Sequence, residues 1–287
     1  MKQITLRGYA KINLTLDVTG RRNDGYHLLE MVMQSISLAD TIQIQTTTEP
    51  GIRVTCNHSV IPCDPSNTAF RAAQLFSRRH SLTHGLSIHI DKQIPIQAGM
   101  AGGSADAAAV LVGLNRLLTT GDSLDELCKL GLMVGADVPF CIRGGTMLAQ
   151  GIGEILHPLP SMPDCFLVVC KPSVNVSTGE AYARIDHVPL PIHPNTKAMI
   201  QALKQKDLPA VSGYLCNVFE AVLELPEIDA IQRMMRQYGA LGSRMTGSGS
   251  AVFGIFREEN DAQNCVAFLK SQYSQTFLCH PVSQGVE

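Results

Sequence analysis

The segment with the clearest capacity for chemistry is Gly99-Met-Ala-Gly-Gly-Ser104, which runs directly into an apolar stretch with helical spacing. The first N–H groups of a helix lack partners inside it and carry partial positive charge, and glycines let a ligand approach the backbone closely. Such a segment suits an anion such as a polyphosphate, and it serves equally as a tight connection before a packed helix. No lysine follows the glycines, so it is not a Walker A loop.

Two residues beside this loop bear on anion binding. We expect Ser104 to cap the helix, because serine is a favoured N-cap residue. Asp106 is expected in the first helical turn, where its carboxylate would repel a phosphate unless a cation or a lysine stood between them. This arrangement is compatible with a nucleotide bound together with Mg²⁺.

Three other polar features are candidates for chemistry, and each also has a plain structural interpretation. Thr246-Gly-Ser-Gly-Ser250 favours an ordinary turn, since Val252 stands where a dinucleotide fingerprint needs glycine. Lys11 lies on the polar face of an alternating segment, where lysine is usually solvated. Asp137 lies in Gly135-Ala-Asp-Val-Pro-Phe140, where the glycine ends a helix, the proline prevents its continuation and aspartate commonly forms a turn.

The elements that position these residues follow from hydrophobic spacing. Strands are predicted at 4–18, 28–38, 41–47, 52–56, 86–90, 146–149, 165–170, 251–256 and 276–280. Helices are predicted at 67–79, from the glycine loop to Leu118, from a capping box at Ser123–Glu126 to about Gly131–Gly135, and at 195–206, 209–224, 226–239 and 260–272. Strands with helical cover in both halves predict an α+β fold. Three prolines within 157–163 mark a linker, so we expect domains at 1–157 and 158–287.

Composition limits the function classes. The chain has 287 residues, and 23 basic against 25 acidic residues give a net charge of −2, which argues against a general nucleic-acid binder. No apolar run is long enough for a membrane helix, and the first residues contain no secretory signal, so a cytoplasmic protein without membrane partners is expected. The nine cysteines form no CxxC pair and are interpreted as reduced, buried side chains.

Three segments, in this order along the chain, resemble the GHMP kinase superfamily. They are Ala10-Lys-Ile-Asn-Leu-Thr-Leu16 with Arg22-Asn-Asp-Gly-Tyr-His27, the glycine loop within Pro95–Ala109, and Arg244-Met-Thr-Gly-Ser-Gly-Ser-Ala-Val-Phe253. Asp24–His27, Gly135–Phe140 and Gly151-Ile-Gly-Glu-Ile155 resemble one branch, the kinases that act on 4-diphosphocytidyl-2-C-methyl-D-erythritol. The similarity extends over nearly the whole chain.

The resemblance implies a fold and a reaction. An N-terminal, ATP-binding domain similar to domain 2 of ribosomal protein S5 would precede a ferredoxin-like C-terminal domain, which completes the substrate cleft. The implied reaction is ATP-dependent phosphorylation of the 2-hydroxyl of 4-diphosphocytidyl-2-C-methyl-D-erythritol, in the non-mevalonate route to isoprenoid precursors. ATP would be the phosphate donor and would carry Mg²⁺, and the other ligand would be a small molecule with a cytidine diphosphate group.

Matching positions assign the catalytic and nucleotide-binding residues. Lys11 and Asp137 resemble the family's catalytic pair, in which the aspartate attracts the proton of the substrate hydroxyl and the lysine keeps the aspartate ionised. The implied ATP-binding residues are Pro95, Ile96, Gln97, Ala98, Gly99, Met100, Ala101, Gly102, Gly103, Ser104 and Ala105, with Asn67 and Lys92 on the adenine side. Ser104 is the one candidate for a metal contact, through Mg²⁺ bound to ATP.

The resemblance also implies an acceptor site. Tyr26 and His27 match the cytidine-recognition positions, Tyr182 would close the other face of the base near Thr178, and Asn13 would face the erythritol or the diphosphate. The glycine loop departs from the common family sequence Gly-Leu-Gly-Gly-Gly-Ser-Ser. Here Ala101 removes backbone freedom and Ala105 removes a hydroxyl, which puts individual phosphate contacts in question.

Two other functions stay open at this point. One is a different GHMP kinase that acts on homoserine, mevalonate or a sugar, although such a substrate offers no base for Tyr26 and His27 to bind. The other is a non-catalytic paralogue that binds a nucleotide, against which the presence of both Lys11 and Asp137 argues. The sequence leaves the oligomeric state undetermined.

Overall fold

The computed structural model describes residues 2–188, 190 and 192–287. The strands are β1 (Gln3–Arg21), β2 (His27–Thr47), β3 (Ile52–Cys56), β4 (Gly85–Asp91), β5 (Thr146–Gly151), β6 (Ile155–Pro158), β7 (Phe166–Cys170), β8 (Cys216–Asn217), β9 (Gly242–Met245), β10 (Val252–Phe256) and β11 (Thr276–Cys279). The helices are α1 (Thr68–Arg79), α2 (Gly102–Leu118), α3 (Leu124–Leu132), α4 (Val138–Arg143), α5 (Thr178–Ile185), α6 (Thr196–Gln205), α7 (Leu208–Gly213), α8 (Pro226–Gln237) and α9 (Glu259–Lys270).

A large sheet built around β1 and β2 carries the first half of the chain. Its strands follow the order β3-β4-β2-β1-β8, and β5 with β6 pairs further along β2. The alternating apolar residues of β1 and β2 face a core that α2 covers, and α2 has a run of buried small and aliphatic residues from Ala105 to Leu114. The small side chains let the helix lie close to the sheet: a Cβ at Gly8 of β1 would stand 2.7 Å from the Ala105 carbonyl oxygen.

The ladder between β1 and β2 breaks beside Lys11. Tyr9 pairs with Ala39, but Lys11 pairs with Ser35, so several residues of β2 have no partner in β1 at this point. The Lys11 N–H donates to the Met100 carbonyl oxygen (3.2 Å), which ties the glycine loop to β1. The break therefore brings the loop directly to the residue that the sequence singles out.

The second sheet is antiparallel and has the order β11-β7-β10-β9. Helices α8 and α9 pack against it, and Leu167, Val169, Phe253 and Ile255 are fully buried in its core. Together the two layered units confirm the predicted α+β class. No helix within the described ranges is long and apolar enough to span a bilayer.

Most predicted elements are present, and three predictions are wrong. The helix predicted at 209–224 is α7 followed by β8 and a 3₁₀ turn (Val218–Ala221), because Cys216 and Asn217 pair with β1. The strands predicted at 28–38 and 41–47 form one strand, β2. Pro139 does not stop a helix but lies in the first turn of α4, where its missing N–H costs nothing. The hydrophobic pattern did not reveal α5, β6 or β9.

The predicted division into residues 1–157 and 158–287 stays a prediction. Residue 157 lies within β6, which pairs with β5 of the first sheet. Residues beyond β11 also return to that sheet, where Pro281 bridges Ile36 and Val286 bridges Gly8.

Candidate active site

Lys11 is buried on β1, although a lysine on a strand face is usually solvated. Its side chain is held by two acceptors, since Nζ donates to Asn13 Oδ1 (2.7 Å) and to the Gly99 carbonyl oxygen (2.9 Å). Burial lowers the pKa of Lys11, and the nearby Asp137 carboxylate opposes part of that change. An ammonium held in this way is a fixed positive charge beside the glycine loop.

Asp137 lies at the N-cap position of α4, but its side chain makes no capping hydrogen bond. Asp137 and Lys11 line the same cavity, which has a volume of about 390 Å³. The structure thus brings the two predicted catalytic side chains, which are 126 residues apart in the sequence, to the same cavity. The remaining lining includes Ser104, Thr178 and Tyr182.

The glycine loop lines a second cavity of about 400 Å³ in front of α2. Ala101 stands at the N-cap with a left-handed φ of 58°, no side chain caps the helix, and the prediction that Ser104 does so is wrong. The Ala105 N–H donates to the Ala101 carbonyl oxygen (2.8 Å), so the N–H groups of residues 102–104 precede the first helical hydrogen bond. They give the cavity a donor-rich, electropositive wall.

All the loop residues predicted to bind ATP line this second cavity except Ala105, which is fully buried beneath it. A hydroxyl at position 105 would therefore point into the core rather than toward a phosphate. Gly99, Ala101 and Ser104 line both cavities, so the loop cavity and the Lys11–Asp137 cavity meet at these residues.

Lys92 lies behind the start of α2 and pairs with two buried carboxylates. Its Nζ lies 2.6 Å from Asp40 Oδ2 and 2.9 Å from Asp106 Oδ2. Burial lowers the pKa of Lys92, but the two carboxylates outweigh burial and raise it overall. Asp106 is beyond the first turn of α2, contrary to prediction, and Lys92 is the lysine beside its carboxylate.

Asn67 and Lys92 both line the loop cavity, as the resemblance implies for the adenine side of ATP. The side chain of Asn67 already has partners within the protein. Its Oδ1 accepts from the N–H groups of Ala69 and Phe70, and its Nδ2 donates to the Pro62 carbonyl oxygen (2.7 Å). The residue thus caps α1 and fixes the loop before it, and a direct contact to ATP stays a prediction.

The second glycine loop is a turn, as predicted, since the Gly249 N–H donates to the Thr246 carbonyl oxygen (3.0 Å), and it packs against the first glycine loop. Asn13 is fully buried between them, and its Oδ1 accepts from Lys11 Nζ and from the Gly247 N–H (3.0 Å). Thr246 Oγ1 accepts from the Asn13 N–H (3.0 Å). Asn13 does not line the Lys11–Asp137 cavity, so its predicted contact to the acceptor stays untested while its role in holding Lys11 is visible.

Thr246, Gly247 and Ser248 have no role predicted from the sequence beyond the turn, although the segment is part of the family resemblance. The contact needs glycine on both sides, because a Cβ at Gly99 would lie 2.2 Å from the Thr246 carbonyl oxygen. A Cβ at Gly247 would lie 2.7 Å from the Gly99 carbonyl oxygen. The glycines in both segments are the sequence feature that could indicate a close backbone contact. The residues around each segment, however, do not show that the two segments touch each other.

Four residues predicted to bind the acceptor lie around α5 and the turn between β1 and β2. His27 stacks on Tyr182 with ring centroids 4.6 Å apart, and His27 Nε2 lies 2.8 Å from Asp186 Oδ1. Tyr182 and Thr178 line the Lys11–Asp137 cavity, whereas Tyr26 is 61% exposed and does not. A base cannot fit between the stacked His27 and Tyr182 rings, so it would have to use an outer face of this pair.

Tyr182 is also affected by the Asp137 carboxylate. Burial and the Asp137 charge raise the pKa of its hydroxyl to about 12. The phenol therefore stays neutral and can donate a hydrogen bond into the cavity at neutral pH. A larger cavity of about 1120 Å³ lies between α5 and residues 220–229, but neither glycine loop nor the Lys11–Asp137 pair lines it.

Comparisons with known proteins agree with this geometry. The family described as GHMP kinases N terminal domain matches residues 67–145, and the family described as GHMP kinases C terminal matches residues 191–275. A crystal structure of 4-(cytidine 5'-diphospho)-2C-methyl-D-erythritol kinase superposes with a TM-score of 0.83 at 30% identity, covering 97% of this chain and 99% of that one. A homoserine kinase from Cytophaga hutchinsonii has a TM-score of 0.80 at 18% identity, which shows the shared fold alone.

Relatives match over almost their full length. A 4-diphosphocytidyl-2-C-methyl-D-erythritol kinase from Alkaliphilus oremlandii is 44% identical over 100% of this chain and 99% of its own. The enzyme of the same name from Clostridioides difficile is 44% identical over 100% of this chain and 98% of its own. With both GHMP domains present and these relatives matched from end to end, the chain belongs to the 4-diphosphocytidyl-2-C-methyl-D-erythritol kinase family of the GHMP kinases.

Proposed function

We propose that the protein transfers the terminal phosphoryl group of ATP to the 2-hydroxyl of 4-diphosphocytidyl-2-C-methyl-D-erythritol, in the non-mevalonate route to isoprenoid precursors and in the cytoplasm. The observation that carries the proposal is the junction of the two cavities at Gly99, Ala101 and Ser104. ATP in the loop cavity would present its terminal phosphate at this junction, and an acceptor hydroxyl would approach from the side of Lys11 and Asp137.

The two side chains have complementary tasks at the junction. Phosphoryl transfer depends on positioning and on neutralising charge, with little covalent work for the protein. Asp137 attracts the proton of the acceptor hydroxyl as its oxygen attacks phosphorus. Lys11 keeps the carboxylate ionised and draws electron density from the attacking oxygen and the phosphate. Asn13 and the Gly99 carbonyl fix the ammonium in place for both tasks.

Mg²⁺ is proposed to enter with ATP, whose phosphates it would neutralise. No group of three or more His, Cys, Asp or Glu residues suited to a metal ion occurs in residues 2–188, 190 and 192–287. We expect the Ser104 hydroxyl to contact the ion or the phosphates it carries, because Ser104 lines both cavities. This donor set fits a cation held mainly by the nucleotide.

The cytidine group is proposed to bind beside α5. Tyr182 offers an aromatic face and a hydroxyl at the cavity, and His27 offers a ring nitrogen next to it. Such a pair supplies both stacking and hydrogen bonds to an unpaired base. Tyr26, exposed at the neighbouring turn, is the proposed second stacking surface.

The test is a phosphoryl-transfer assay with a panel of acceptors, run with and without Mg²⁺. We expect turnover with the cytidine diphosphate compound and none with homoserine, mevalonate or simple sugars. Turnover with one of those and not with the cytidine compound would show that the acceptor assignment is wrong. Binding of ATP without phosphorylation of any acceptor would favour a nucleotide-binding protein that does not catalyse transfer.

The burial of Lys11 predicts how kcat depends on pH. Burial lowers the pKa of Lys11 below the 10.5 of an unperturbed lysine. The ammonium therefore loses its proton, and kcat should fall, as the pH rises through this lowered pKa. Asp137 and Cys141, both presented by the α4 segment, raise the pKa of Lys11, and Asn13 and Gly99 contribute only neutral acceptors. Without the Asp137 charge the pKa of Lys11 should be lower still, so the residual activity of Asp137→Asn should fall at a lower pH than the activity of the wild type. An alkaline limb at the same pH in both proteins would contradict this account.

A further inference from the structure

We propose that residues 280–287 form a strap that sets the spacing between Lys11 and Asp137, with Gly285 as its positioning residue. The inference rests on the catalytic assignment proposed above and adds to it a segment that lines no part of the Lys11–Asp137 cavity. The strap, defined as residues 280–287, joins the two elements that carry the catalytic pair.

On one side the strap pairs with β2 where β2 has lost its partner in β1. The Ser37 N–H donates to the His280 carbonyl oxygen (2.9 Å), and the Val282 N–H donates to the Ser35 carbonyl oxygen (3.0 Å). Gln34 Nε2 adds a bond to the Val282 carbonyl oxygen (3.0 Å). Ser35 is also the residue of β2 that pairs with Lys11 of β1. The strap is therefore hydrogen-bonded to β2 at the residue opposite the lysine.

On the other side the strap pairs with β1 just before Lys11. The Tyr9 N–H donates to the Gly285 carbonyl oxygen (2.9 Å), and Arg7 and Glu287 exchange two backbone hydrogen bonds of 2.9 and 3.0 Å. The Tyr9 hydroxyl donates to the Glu287 carboxylate. Gly285 is thus fixed to β1 at a residue two positions from the lysine.

The same glycine is in contact with the end of α4. A Cβ at Gly285 would lie 1.8 Å from the Cys141 carbonyl oxygen, and a Cβ at Gly144 would lie 2.0 Å from the Gly285 nitrogen. The Cys141 N–H in turn donates to the Asp137 carbonyl oxygen (3.0 Å). Gly285 therefore touches α4 one helical turn from the catalytic carboxylate, with no side chain in between.

These contacts make Gly285 a spacer between two pieces of backbone. Any side chain at this position would push α4 away from β1, and with it Asp137 from Lys11. Displacing a reacting group by about 1 Å can cost about 10²-fold in rate. We expect ATP and acceptor contacts made by the glycine loops and α5 to be unaffected, because the hydrogen bonds described for the strap run to β1 and β2.

The test is Gly285→Ala, measured for kcat, for KM of both substrates and for thermal stability. We expect kcat to fall by about 10–10²-fold, with both KM values unchanged. Gly85→Ala, at the start of β4, is the matched control: a Cβ there would lie 1.9 Å from the Glu49 carbonyl oxygen, so the same crowding of backbone should lower the melting temperature and leave kcat unchanged. Wild-type kcat in Gly285→Ala, or an equal loss of kcat in Gly85→Ala, would overturn the proposal.

Two further variants keep the test decisive. If Gly285→Ala does not fold, Tyr9→Phe removes the hydroxyl that contacts the strap at Glu287 and Gln284 and should lower kcat several-fold without changing KM, whereas wild-type kcat would overturn the proposal. Lys11→Met in the same assay separates the two hypotheses. If Lys11→Met keeps full activity, the catalytic assignment fails; if it loses activity while Gly285→Ala does not, only the strap proposal fails.

Discussion

Replacing Asp137 with asparagine should lower kcat by about 10²–10⁴-fold while leaving the fold intact, because a positioned general base contributes rate accelerations of that size. The side chain makes no capping bond at α4, so the isosteric amide removes the charge without removing a structural contact. The loss corresponds to about 3–5 kcal/mol of transition-state stabilisation. Steady-state kinetics measure the loss of kcat. Circular dichroism and the melting temperature show whether the fold is intact.

The matched control is Asp125→Asn, on the neighbouring helix α3. It removes the same charge from a side chain that is 74% exposed and paired only with Arg143 at the surface. Exposed ion pairs contribute about 0–1 kcal/mol, so stability and kcat should both remain near wild type. If Asp137→Asn kept more than a third of the wild-type kcat, Asp137 would have no role in proton transfer or charge stabilisation.

The double variant Lys11→Met, Asp137→Asn tests whether the two residues act as a unit. Groups that act together show strongly non-additive losses, so the double variant should be little slower than the slower single one. Asp137 raises the pKa of Lys11 through their shared cavity, which is the physical basis of the coupling. Fully additive losses in log kcat would instead mean that the two charges act independently.

Local sequence pattern predicted where Lys11 lies but not its burial. The alternation in β1 predicts Lys11, Asn13, Thr15 and Asp17 on one face, but a register shift between Asn13 and Thr15 separates the first two from the last two, and all four are buried. Thr246 and Gly247 cover Asn13, and Cys216 pairs with Thr15, so the cover comes from residues more than two hundred positions away. Hydrophobic periodicity shows which residues share a face of one helix or strand. It contains no information about contacts between residues that are this far apart in the sequence.

The start of α2 differs from the prediction for another reason, which is the backbone conformation of Ala101. Serine is a good N-cap, so the sequence favours Ser104, but Ala101 is the N-cap in a left-handed conformation and the helix begins three residues earlier than a Ser104 cap would start it. This earlier start moves Ala105 into the core and Asp106 onto Lys92. The resemblance predicted the residues of the loop; only the backbone shows which of them face the cavity.

Gly99→Ala should lower kcat/KM for ATP by about 10²-fold, since the new methyl group would lie against the Thr246 carbonyl and push the two glycine loops apart. The Gly99 carbonyl also accepts from Lys11 Nζ, so the shift should reach the Lys11 ammonium as well as the loop backbone proposed to bind phosphate. We therefore expect both a weaker ATP affinity, measured by calorimetric titration, and a lower kcat.

Gly121→Ala separates crowding from backbone strain. Gly99 and Gly121 have similar left-handed φ angles of 71° and 79°, but a Cβ at Gly121 would meet nothing within 4 Å. Both alanines carry the cost of a left-handed conformation, about 1–3 kcal/mol, so both should lower the melting temperature, and Gly99→Ala should lower it further because its methyl also crowds the second loop. Only Gly99→Ala should change the kinetics, because only there does the added methyl meet the second loop. Equal kinetic losses in the two variants, or normal kinetics in both, would mean that the contact between the loops has no part in binding ATP.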